Sequence, residues 1–579
     1  MTSLGSHGVG PGNLTAVPKR DHDDLSKTSV PPRPAFVRAT ALSEIAARLD
    51  LPAPAVPADG ESTGESAREP AGGPAAAGQD VLVSGITHDS RAVRPGDVYA
   101  ALPGANVHGA DFAAQAAKSG AVALLTDEEG ARRAREAGVR LPALVLPEPR
   151  RALGAIAAEV YGRPADRLLS IGITGTNGKT TTAYLVEGGL LGAGRTPGVL
   201  GTVEMRVGSS RIKSERTTPE ATDLHAVLGV MAESGADAVA MEVSSHALVF
   251  GRVDGVVYDV AVFNNLTPEH LDFHADMEDY FQAKASLFTP GRSRRGVVNL
   301  DDGYGRRLAE GESKVPVVTF SATGDPAADW RAEDVRLGPL GSDFTVIGPD
   351  GARAEAHAPI AGPFNVANAL AAIAALVEAG LPLEQVAAGV AAVPGVPGRL
   401  ERVTVEGMAQ PYLAVVDYAH KPDALEAVLR SLREVTKGEL HVVIGCGGDR
   451  DPHKRGPMGA IAARLADTAV LTSDNPRSED PLAILAAMLA GAVDVPEEER
   501  GAVLVEPDRG RAVAAAVARA HAGDTVLVAG KGHELGQYVR GETRPFDDRA
   551  VLREAIRSHG HPHAHDRPRH AGYGVRPAE

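Results

Sequence analysis

The sequence predicts an α/β protein of several domains. Short apolar runs alternate with Ala-rich helical stretches from about residue 81 to residue 558, a pattern typical of parallel sheets covered by helices. The 579 residues exceed what one hydrophobic core usually organises, so we expect three domains of ordinary size. One apolar run, residues 168–173, breaks into a Gly-rich turn that ends in Gly-Lys-Thr, which predicts that one domain binds a nucleotide triphosphate.

Composition restricts the class of protein and its compartment. The formal net charge of −16 argues against a nucleic-acid binder, so local cations must hold any anionic substrate. The single cysteine, Cys446, excludes an intrachain disulfide and a metal–thiolate cluster, which suits a reducing compartment. The chain has no apolar run of membrane-spanning length, and its first ten residues contain no apolar signal core. We therefore predict a cytoplasmic protein that does not insert into a membrane.

Three segments are predicted to lie outside the folded domains. Residues 1–35 mix Pro, Gly and charge without periodicity and are predicted to be a disordered extension. Residues 52–80 contain five Pro and five Gly and are predicted to be a flexible surface insertion. Residues 559–579 form a polar, His-rich tail for which disorder is expected and metal binding is the alternative.

The remaining chain divides into three predicted α/β domains. Leu42, Ile45 and Leu49 recur at helical spacing behind Thr40, a possible N-cap, and predict the first helix. The domains are expected to span residues 36–165, 166–398 and 399–558.

The Gly-rich turn of the middle domain lies between a predicted strand and a predicted helix at 183–191. Backbone N–H groups and the helix N-terminus can therefore meet phosphates there. Lys179 would neutralise phosphate charge, and Thr180 would reach Mg²⁺. The strict pattern requires Gly where Ile173 stands, so the turn is a variant phosphate loop, with a purely structural turn as the alternative. The predicted phosphate-binding residues are Gly175, Thr176, Asn177, Gly178, Lys179, Thr180 and Thr181.

Three further side chains of the middle domain are candidates for the same chemistry. Glu242 ends a predicted strand and could hold the Mg²⁺ of a bound nucleotide, although a surface Glu is the alternative. His270 could ligate a metal or cap a turn. Lys284 lies among apolar residues of a predicted helix at 280–288, which is costly for an unpaired ammonium unless the side chain snorkels.

The last domain has three strand-like runs, 440–444, 468–471 and 525–528, each followed by a polar motif. Ligands of open parallel sheets bind beyond the carboxyl ends of the strands. The side chains expected to converge at that edge are Arg450, Asn475, Arg477 and Glu534.

Taken together, the motifs resemble those of the Mur ligase family. The order of Gly175–Thr181, Glu242–His246, Asn265–Asp272 and Lys284 is the family's order. The resemblance spans about residues 81–550 and includes the segments Asp417–Leu425, Gly445–Asp451, Asp474–Arg477 and Gly530–Glu534. It implies a three-domain architecture with a central P-loop ATPase-like parallel sheet and a Rossmann-like C-terminal domain, and a cytoplasmic monomer that uses ATP and Mg²⁺ in peptidoglycan precursor synthesis.

The resemblance also implies roles for individual residues. Lys284 would be carbamylated and would help to hold a second Mg²⁺ with His270, while Thr180 and Glu242 would hold the first. The nucleotide would in addition contact Asn365, Asn368, Arg399, Asp417 and His420. The UDP-sugar peptide would bind to the first domain and its border, at Ser90, Thr217, Thr218, Ser244, Ser245 and Arg252. Relatives often have His before the arginine that corresponds to Arg252, whereas this chain has Gly251, a departure from the family's pattern.

The amino-acid substrate follows from the last domain. Asp474-Asn-Pro-Arg477 is the family's diaminopimelate form of the motif, in which Arg477 would bind the distal carboxylate and Glu534 the distal ammonium, with Gly530 and Arg450 nearby. Lysine has no distal carboxylate and would leave that Arg unpaired. The predicted reaction joins diaminopimelate to UDP-N-acetylmuramoyl-L-alanyl-D-glutamate through an acyl phosphate.

Several alternatives stay open. Within the enzyme class, the nearest alternative is another amide ligase of the superfamily, such as a folylpolyglutamate synthase or a lysine-adding relative. A ligase-like scaffold without catalysis is the alternative of another class, although Lys179, Glu242, His270 and Lys284 are all present. The sequence does not distinguish meso- from LL-diaminopimelate.

Overall fold

The computed structural model describes residues 32–55, 80–208, 210–214 and 216–559. Most of the predicted extension, insertion and tail therefore lies outside the described residues. Arg33, near the end of the predicted extension, binds both carboxylate oxygens of Asp97, at 2.8 and 2.6 Å. Ala55 at the start of the insertion bridges to Ala143, and His559 is the last residue of a helix. No described helix is long and apolar enough to cross a membrane.

The first α/β unit has a four-stranded parallel sheet in the order β3-β4-β5-β6 and a separate antiparallel pair, β1-β2. Its elements are β1 (Thr40–Ala41), α1 (Leu42–Arg48), β2 (Leu82–Val83), β3 (Gly85–Thr87), β4 (Asp97–Ala100), α2 (Ala113–Lys118), β5 (Ala123–Thr126), α3 (Glu128–Glu136), β6 (Ala143–Val145) and α4 (Pro149–Val160).

The predicted N-cap of the first helix is wrong. The helix α1 is present and buries Leu42 and Ile45, but its N-cap residue is Ala41, without a side-chain cap bond. Thr40 belongs to β1, where it pairs with Val83. The strand pairing, a contact with a distant segment, therefore overrides the local capping preference of Thr40.

The second unit contains an eleven-stranded sheet in the order β10-β9-β8-β11-β7-β12-β13-β14-β15-β16-β17. The strands from β8 to β15 in this order are parallel, and antiparallel strands extend both edges. Its strands are β7 (Leu169–Thr174), β8 (Pro197–Leu200), β9 (Glu204–Val207), β10 (Ser210–Lys213), β11 (Ala238–Glu242), β12 (Val260–Phe263), β13 (Gly296–Asn299), β14 (Val317–Ser321), β15 (Trp330–Gly338), β16 (Gly341–Ile347) and β17 (Arg353–Ala358).

Helices cover both faces of this sheet. The helix α5, which follows the phosphate loop, packs in one apolar cluster with the long Ala-rich helix α10. The helices are α5 (Lys179–Gly192), α6 (Ala221–Glu233), α7 (Ser245–Val249), α8 (Met277–Ala285), α9 (Gly303–Arg307), α10 (Pro363–Glu378) and α11 (Leu383–Ala391).

The third unit has a six-stranded sheet in the order β18-β19-β23-β20-β21-β22, parallel except for β18, and a separate hairpin, β24-β25. This topology and the central parallel sheet confirm the predicted fold class. The elements are β18 (Glu401–Arg402), β19 (Leu413–Asp417), α12 (Pro422–Val435), β20 (Leu440–Ile444), α13 (Arg455–Leu465), β21 (Thr468–Leu471), α14 (Pro481–Val493), β22 (Ala502–Val505), α15 (Arg509–Val517), β23 (Thr525–Ala529), β24 (Gly536–Val539), β25 (Glu542–Pro545) and α16 (Asp548–His559).

Glycines allow α5 and α11 to approach with their backbones in contact. A Cβ on Gly389 of α11 would lie 2.3 Å from the carbonyl oxygen of Gly188 in α5. Since the obstacle is backbone, no side-chain rotation relieves the clash, and the two helices would have to separate. This contact supports the helix that carries the phosphate loop at its N-terminus.

We expect Gly389→Ala to lower the free energy of unfolding by about 1–3 kcal/mol, although Ala is the better helix former. Urea unfolding measures the effect. Gly291→Ala is the matched control, because nothing lies within 4 Å of a Cβ at that position. A Gly389→Ala protein as stable as the wild type would contradict this account of the helix contact.

Candidate functional site

The phosphate loop connects β7 to α5 and contains two glycines with positive φ, Gly175 at 152° and Gly178 at 84°. A Cβ on Gly178 would lie 2.4 Å from Oδ1 of Asn368, so only glycine fits between the loop and α10. Thr182 N donates to Gly178 O at 2.8 Å. The amides of residues 179–181 therefore precede the first intrahelical bond and remain available to an anion.

Two lysines converge on one backbone oxygen of this loop. Nζ of Lys179 donates to Gly175 O at 2.8 Å and to Thr176 O at 3.0 Å. Nζ of Lys284, which comes from α8 and is 1% exposed, donates to the same Gly175 O at 2.9 Å. The ring of Tyr280 lies 4.7 Å from the Lys284 nitrogen. The site thus brings a partly buried amine, Lys179, and a buried one, Lys284, together beside the predicted phosphate position.

Burial lowers the pKa of both amines. For Lys179, burial and the charge of Arg399, opposed by the attraction of Glu242, lower the pKa to about 8. Burial, and then the charge of Lys179, lower the pKa of Lys284 well below its ordinary value. Lys284 is not a snorkelling surface lysine, since its nitrogen is buried. A neutral amine in this position can react as a nucleophile.

Glu242 ends β11 beside the phosphate loop and is 1% exposed. Its Oε1 accepts from the backbone N–H of Thr202 at 2.7 Å, and its Oε2 accepts from the hydroxyl of Thr202 at 3.0 Å. A Cβ on Gly201 would lie 2.3 Å from Oε1. These contacts fix the carboxylate, and each oxygen keeps a further lone pair that could hold a cation. The alternative of a surface Glu is wrong.

His270 lies near the two lysines, in a group of aromatic rings. Its backbone has φ 56°, and its ring meets those of His246 and Tyr280 edge-on, with centroids 4.8 and 6.1 Å away. Burial, followed by the charges of Lys179 and Lys284, lowers the pKa of His270 to about 4. The ring is therefore neutral near pH 7, the form that ligates metals. Its predicted role as a metal ligand stays a prediction.

The residues predicted near the nucleotide base lie directly behind the phosphate loop. Asn368 Oδ1 accepts from the Thr182 hydroxyl at 3.3 Å, and Asn368 Nδ2 donates to Asn365 Oδ1 at 2.9 Å. Asn365 Nδ2 donates in turn to Ala361 O at 2.7 Å. Asn368 thus links α10 to α5, while Asn365 orients Asn368, and a contact of either amide with adenine stays a prediction.

The third unit reaches the phosphate loop through Arg399. Its Nη2 donates to the hydroxyl of Thr180 at 3.3 Å, and its guanidinium lies 4.8 Å from the Tyr418 ring. Its Nε is buried without a hydrogen-bond partner among the described residues. A donor left in this way suits an anionic ligand between the second and third units. Lys421 of the third unit also pairs with Glu269 of the second.

Asp417 ends β19 and contacts the segment that connects the two units. Its Oδ2 accepts from Leu400 N and its Oδ1 from Ala419 N, each at 2.7 Å. Leu400 has φ 41°, an unfavourable left-handed conformation for a leucine. Burial raises the pKa of Asp417 against the opposing influence of Arg399. The carboxylate thus stabilises the connecting segment, and its predicted contact with ribose is untested.

His420 lies beside the same segment, with its Nδ1 2.8 Å from Tyr418 O and its ring 4.6 Å from the Tyr418 ring. Burial, and then Lys454, lower the pKa of His420. A role at the nucleotide stays a prediction.

The residues predicted to bind the UDP-sugar peptide divide into exposed and buried groups. Thr218 is fully buried and donates to Glu242 O at 2.9 Å, while Ser245 is 1% exposed and lies 3.0 Å from His274 Nε2. Thr217 is partly exposed, and its hydroxyl lies 3.1 Å from that of Thr202. Ser244 caps α7 through Ala247 N at 3.2 Å. Thr218 and Ser245 therefore support this surface from inside.

Arg252 and Ser90 mark the border with the first unit. Arg252 pairs with Glu220 at 2.8 Å, and Arg150 and Arg216 approach the same carboxylate at 3.7 and 3.8 Å. Three guanidinium groups thus share one carboxylate, which leaves excess positive charge for an anionic ligand. Ser90 is 9% exposed in the loop after β3.

At the carboxyl edge of the third sheet the structure brings Asn475 and Glu534 into contact. Asn475, after β21, donates through Nδ2 to Glu534 Oε2 at 2.9 Å. Arg477 donates to Gly448 O, in the loop after β20, at 2.6 Å, and adopts φ 52°. Asp474 Oδ2 would lie 2.9 Å from a Cβ on Gly530. Arg450 lies exposed in the loop after β20.

Sequence reasoning missed a residue that holds this edge together. Lys531 is 0% exposed, and its Nζ donates to Asn475 Oδ1 at 3.0 Å and to Glu534 Oε2 at 2.9 Å. The lysine therefore orients two predicted substrate-binding side chains. The sequence marks Lys531 only by its position between Gly530 and Gly532. Its hydrogen-bond partner Asn475 is distant in sequence, so the contact could not be predicted.

Comparisons with known proteins agree with this geometry. Residues 82–161 match the model described as "Mur ligase family, catalytic domain", residues 173–376 match "Mur ligase middle domain", and residues 398–532 match "Mur ligase, glutamate ligase domain".

Similar individual proteins extend over nearly the whole chain. A UDP-N-acetylmuramoyl-L-alanyl-D-glutamate--2,6-diaminopimelate ligase of Streptomyces avermitilis is 66% identical, over 91% of this chain and 98% of that protein. One of the same name from Corynebacterium glutamicum is 44% identical, over 84% and 94%. A solved structure of a ligase of this name has a TM-score of 0.63 at 31% identity and covers 91% of this chain and 100% of its own. The chain belongs to the Mur ligase family.

Proposed function

We propose that this protein is the ATP-dependent ligase that joins 2,6-diaminopimelate to UDP-N-acetylmuramoyl-L-alanyl-D-glutamate in cytoplasmic peptidoglycan precursor synthesis. The observation that carries the proposal is the hydrogen-bonded group of buried Asn475, buried Lys531 and partly exposed Glu534 beside Arg477, at the edge of the third sheet. It offers both signs of charge to one amino acid. The names of the similar ligases support the same substrates.

The nucleotide half of the reaction uses the phosphate loop. The amides of residues 179–181 and the ammonium of Lys179 would bind the phosphates of ATP. Arg399, which contacts Thr180, would add a positive charge from the third unit. These groups align the γ-phosphate with the D-glutamyl carboxylate and offset the charge of the transferred group.

The donor set suits magnesium, because the Thr180 hydroxyl and the fixed Glu242 carboxylate are hard oxygen ligands. When bound, Mg²⁺ would supply Lewis-acid stabilisation of phosphate charge. A second ion would be held by His270 and by Lys284 after carbamylation. Carbon dioxide bonds to a neutral amine with loss of one proton, which makes the amine a carbamate anion. The lowered pKa of Lys284 favours that neutral form, and the carbamate would remove the repulsion from Lys179.

The amino-acid half of the reaction uses the third unit. Arg477 would bind the distal carboxylate of diaminopimelate, and Glu534 with Asp474 the distal ammonium. Lys531 and Asn475 both contact Oε2 of Glu534 and leave Oε1 for the substrate. The other amino group of the substrate, as a neutral amine, would face the activated carboxyl group.

These positions support the following order in which bonds form and break. A carboxylate oxygen of the D-glutamyl residue attacks the γ-phosphorus of ATP, and ADP leaves. The amine of diaminopimelate then attacks the acyl phosphate carbon, loses a proton, and expels phosphate as the amide forms. In line with the resemblance to the family, we propose that a monomer acts on these small-molecule substrates.

Phosphate release from ATP with UDP-N-acetylmuramoyl-L-alanyl-D-glutamate tests the proposal. We expect release that depends on one isomer of diaminopimelate and exceeds release with L-lysine by 10²-fold or more, that is about 3 kcal/mol, because lysine leaves Arg477 unpaired. The meso and LL isomers are compared in separate reactions. Preference for lysine or for glutamate as acceptor would overturn the proposed substrate.

The role of Arg477 predicts a selective defect. We expect Arg477→Lys to raise KM for diaminopimelate about 10- to 100-fold, because the paired guanidinium bonds to a carboxylate are lost, with KM for ATP changed less than about twofold. Steady-state kinetics measure both. Arg544→Lys, at an exposed position in β25, is the control. Equal changes in the two KM values would argue against a contact with the amino acid.

Carbamylation of Lys284 predicts a signal that needs no substrate. In ¹³C-bicarbonate, the wild type should show a carbamate carbonyl resonance that Lys284→Arg lacks. Because protonated amine does not react, the resonance should weaken as the pH falls through the lowered pKa of Lys284. Lys284→Arg should reduce ligase turnover on the order of 10²-fold or more. The same resonance in both proteins would place the carbamate elsewhere.

A further inference from the structure

A buried ion pair lies in the third unit, outside every motif discussed above. Arg509, at the start of α15, is 2% exposed, and Asp548, at the start of α16, is 0% exposed. Nε and Nη2 of Arg509 donate to Oδ1 and Oδ2 of Asp548, each at 2.7 Å. Removing two charged groups from water costs desolvation free energy, so burial of this ion pair needs a reason. The other hydrogen bonds of Arg509 indicate that reason.

The guanidinium also binds the backbone where two substrate loops begin. Nη2 donates to the carbonyl oxygen of Ala529 at 2.9 Å, and Nη1 donates more weakly to that of Ser473 at 3.4 Å. Ser473 immediately precedes the Asp474–Arg477 loop, and Ala529 immediately precedes the Gly530–Glu534 loop. The side chain of Arg509 therefore links the residues that precede both loops to helix α15.

We propose that Arg509, held by Asp548, is a positioning residue for the amino-acid site, which fixes the spacing between the Asp474–Arg477 and Gly530–Glu534 loops and so determines affinity for the amino acid. The identity of that amino acid rests on the proposed function. Arg509 acts through the loops and does not itself touch the substrate. The planar fork is essential, because no other side chain can bind a carboxylate in two places and reach two carbonyls as well.

Charge supports this assignment. Burial opposes the charge of Arg509, but Asp548, Asp474 and Glu534 together outweigh it and raise the pKa of the guanidinium. The balance of charge around Arg509 thus includes these three carboxylates and a second cation, Lys531. Removal of the Arg509 charge would change this balance as well as the geometry.

Arg509→Lys tests the proposal, because it retains the charge and removes the fork. We expect KM for diaminopimelate to rise about tenfold, equivalent to one or two lost hydrogen bonds, while KM for ATP and for the UDP substrate changes less than about twofold. Arg433→Lys is a control at a half-exposed ion pair of the third unit, in which Nη2 of Arg433 lies 2.6 Å from Oδ2 of Asp467. Unchanged KM for diaminopimelate in a folded Arg509→Lys protein would overturn the proposal.

A second variant covers the case in which Arg509→Lys does not fold. Arg509→Met combined with Asp548→Leu replaces the pair by apolar side chains, a change that buried ion pairs often tolerate. The double variant should be folded by circular dichroism and should still show the raised KM for diaminopimelate. Full affinity in this variant would contradict a positioning role.

Hydrogen exchange separates this inference from the proposed function. Without any substrate, amides of residues 474–477 and 530–534 should exchange at least tenfold faster in either folded variant than in the wild type, with the Arg433→Lys protein unchanged. If wild-type protein showed no acceptor-dependent phosphate release, the proposed function would fail while faster exchange still supported the positioning role. Unchanged exchange rates would overturn the positioning role alone.

Discussion

The carbonyl oxygen of Gly175 is the point on which the nucleotide site depends. It accepts hydrogen bonds from partly buried Lys179 and from fully buried Lys284, which arrive from different helices. Two ammonium groups in one buried place repel each other, so the arrangement is stable only when at least one amine is neutral or negative charge is nearby. The glycine that provides the oxygen, the lowered pKa values of both lysines and the position of His270 are parts of this one constraint.

The topology of the two larger sheets brings separate motifs into one region. In the second unit, β7 and β11 end at the phosphate loop and at Glu242, and in the third unit, β20, β21 and β23 end at the loops that carry the predicted amino-acid site. Parallel strands direct their carboxyl ends to one edge, so chemistry that is scattered over more than 350 residues of sequence converges without long excursions of the chain.

The sequence predicted what depends on local pattern, such as the strand before the phosphate loop and the shared edge of the third sheet. It did not predict what depends on distant partners. Lys531 reads as one residue of a Gly-rich motif until Asn475, 56 positions away, is seen to accept its hydrogen bond. Thr40 has the composition of an N-cap, but pairing with Val83 draws it into a strand. Arg509 lies in an ordinary amphipathic helix, and only its buried contacts distinguish it.

Asp417 connects the orientation of the third unit with events at the phosphate loop. Its carboxylate stabilises Leu400 in a conformation that a leucine avoids, one residue from Arg399, which contacts Thr180. A ligand that replaced the hydrogen bond from Leu400 to this carboxylate would release the segment next to Arg399. By thermodynamic linkage, a ligand that binds one interdomain angle more tightly than another would shift the population of angles by that same difference in binding free energy.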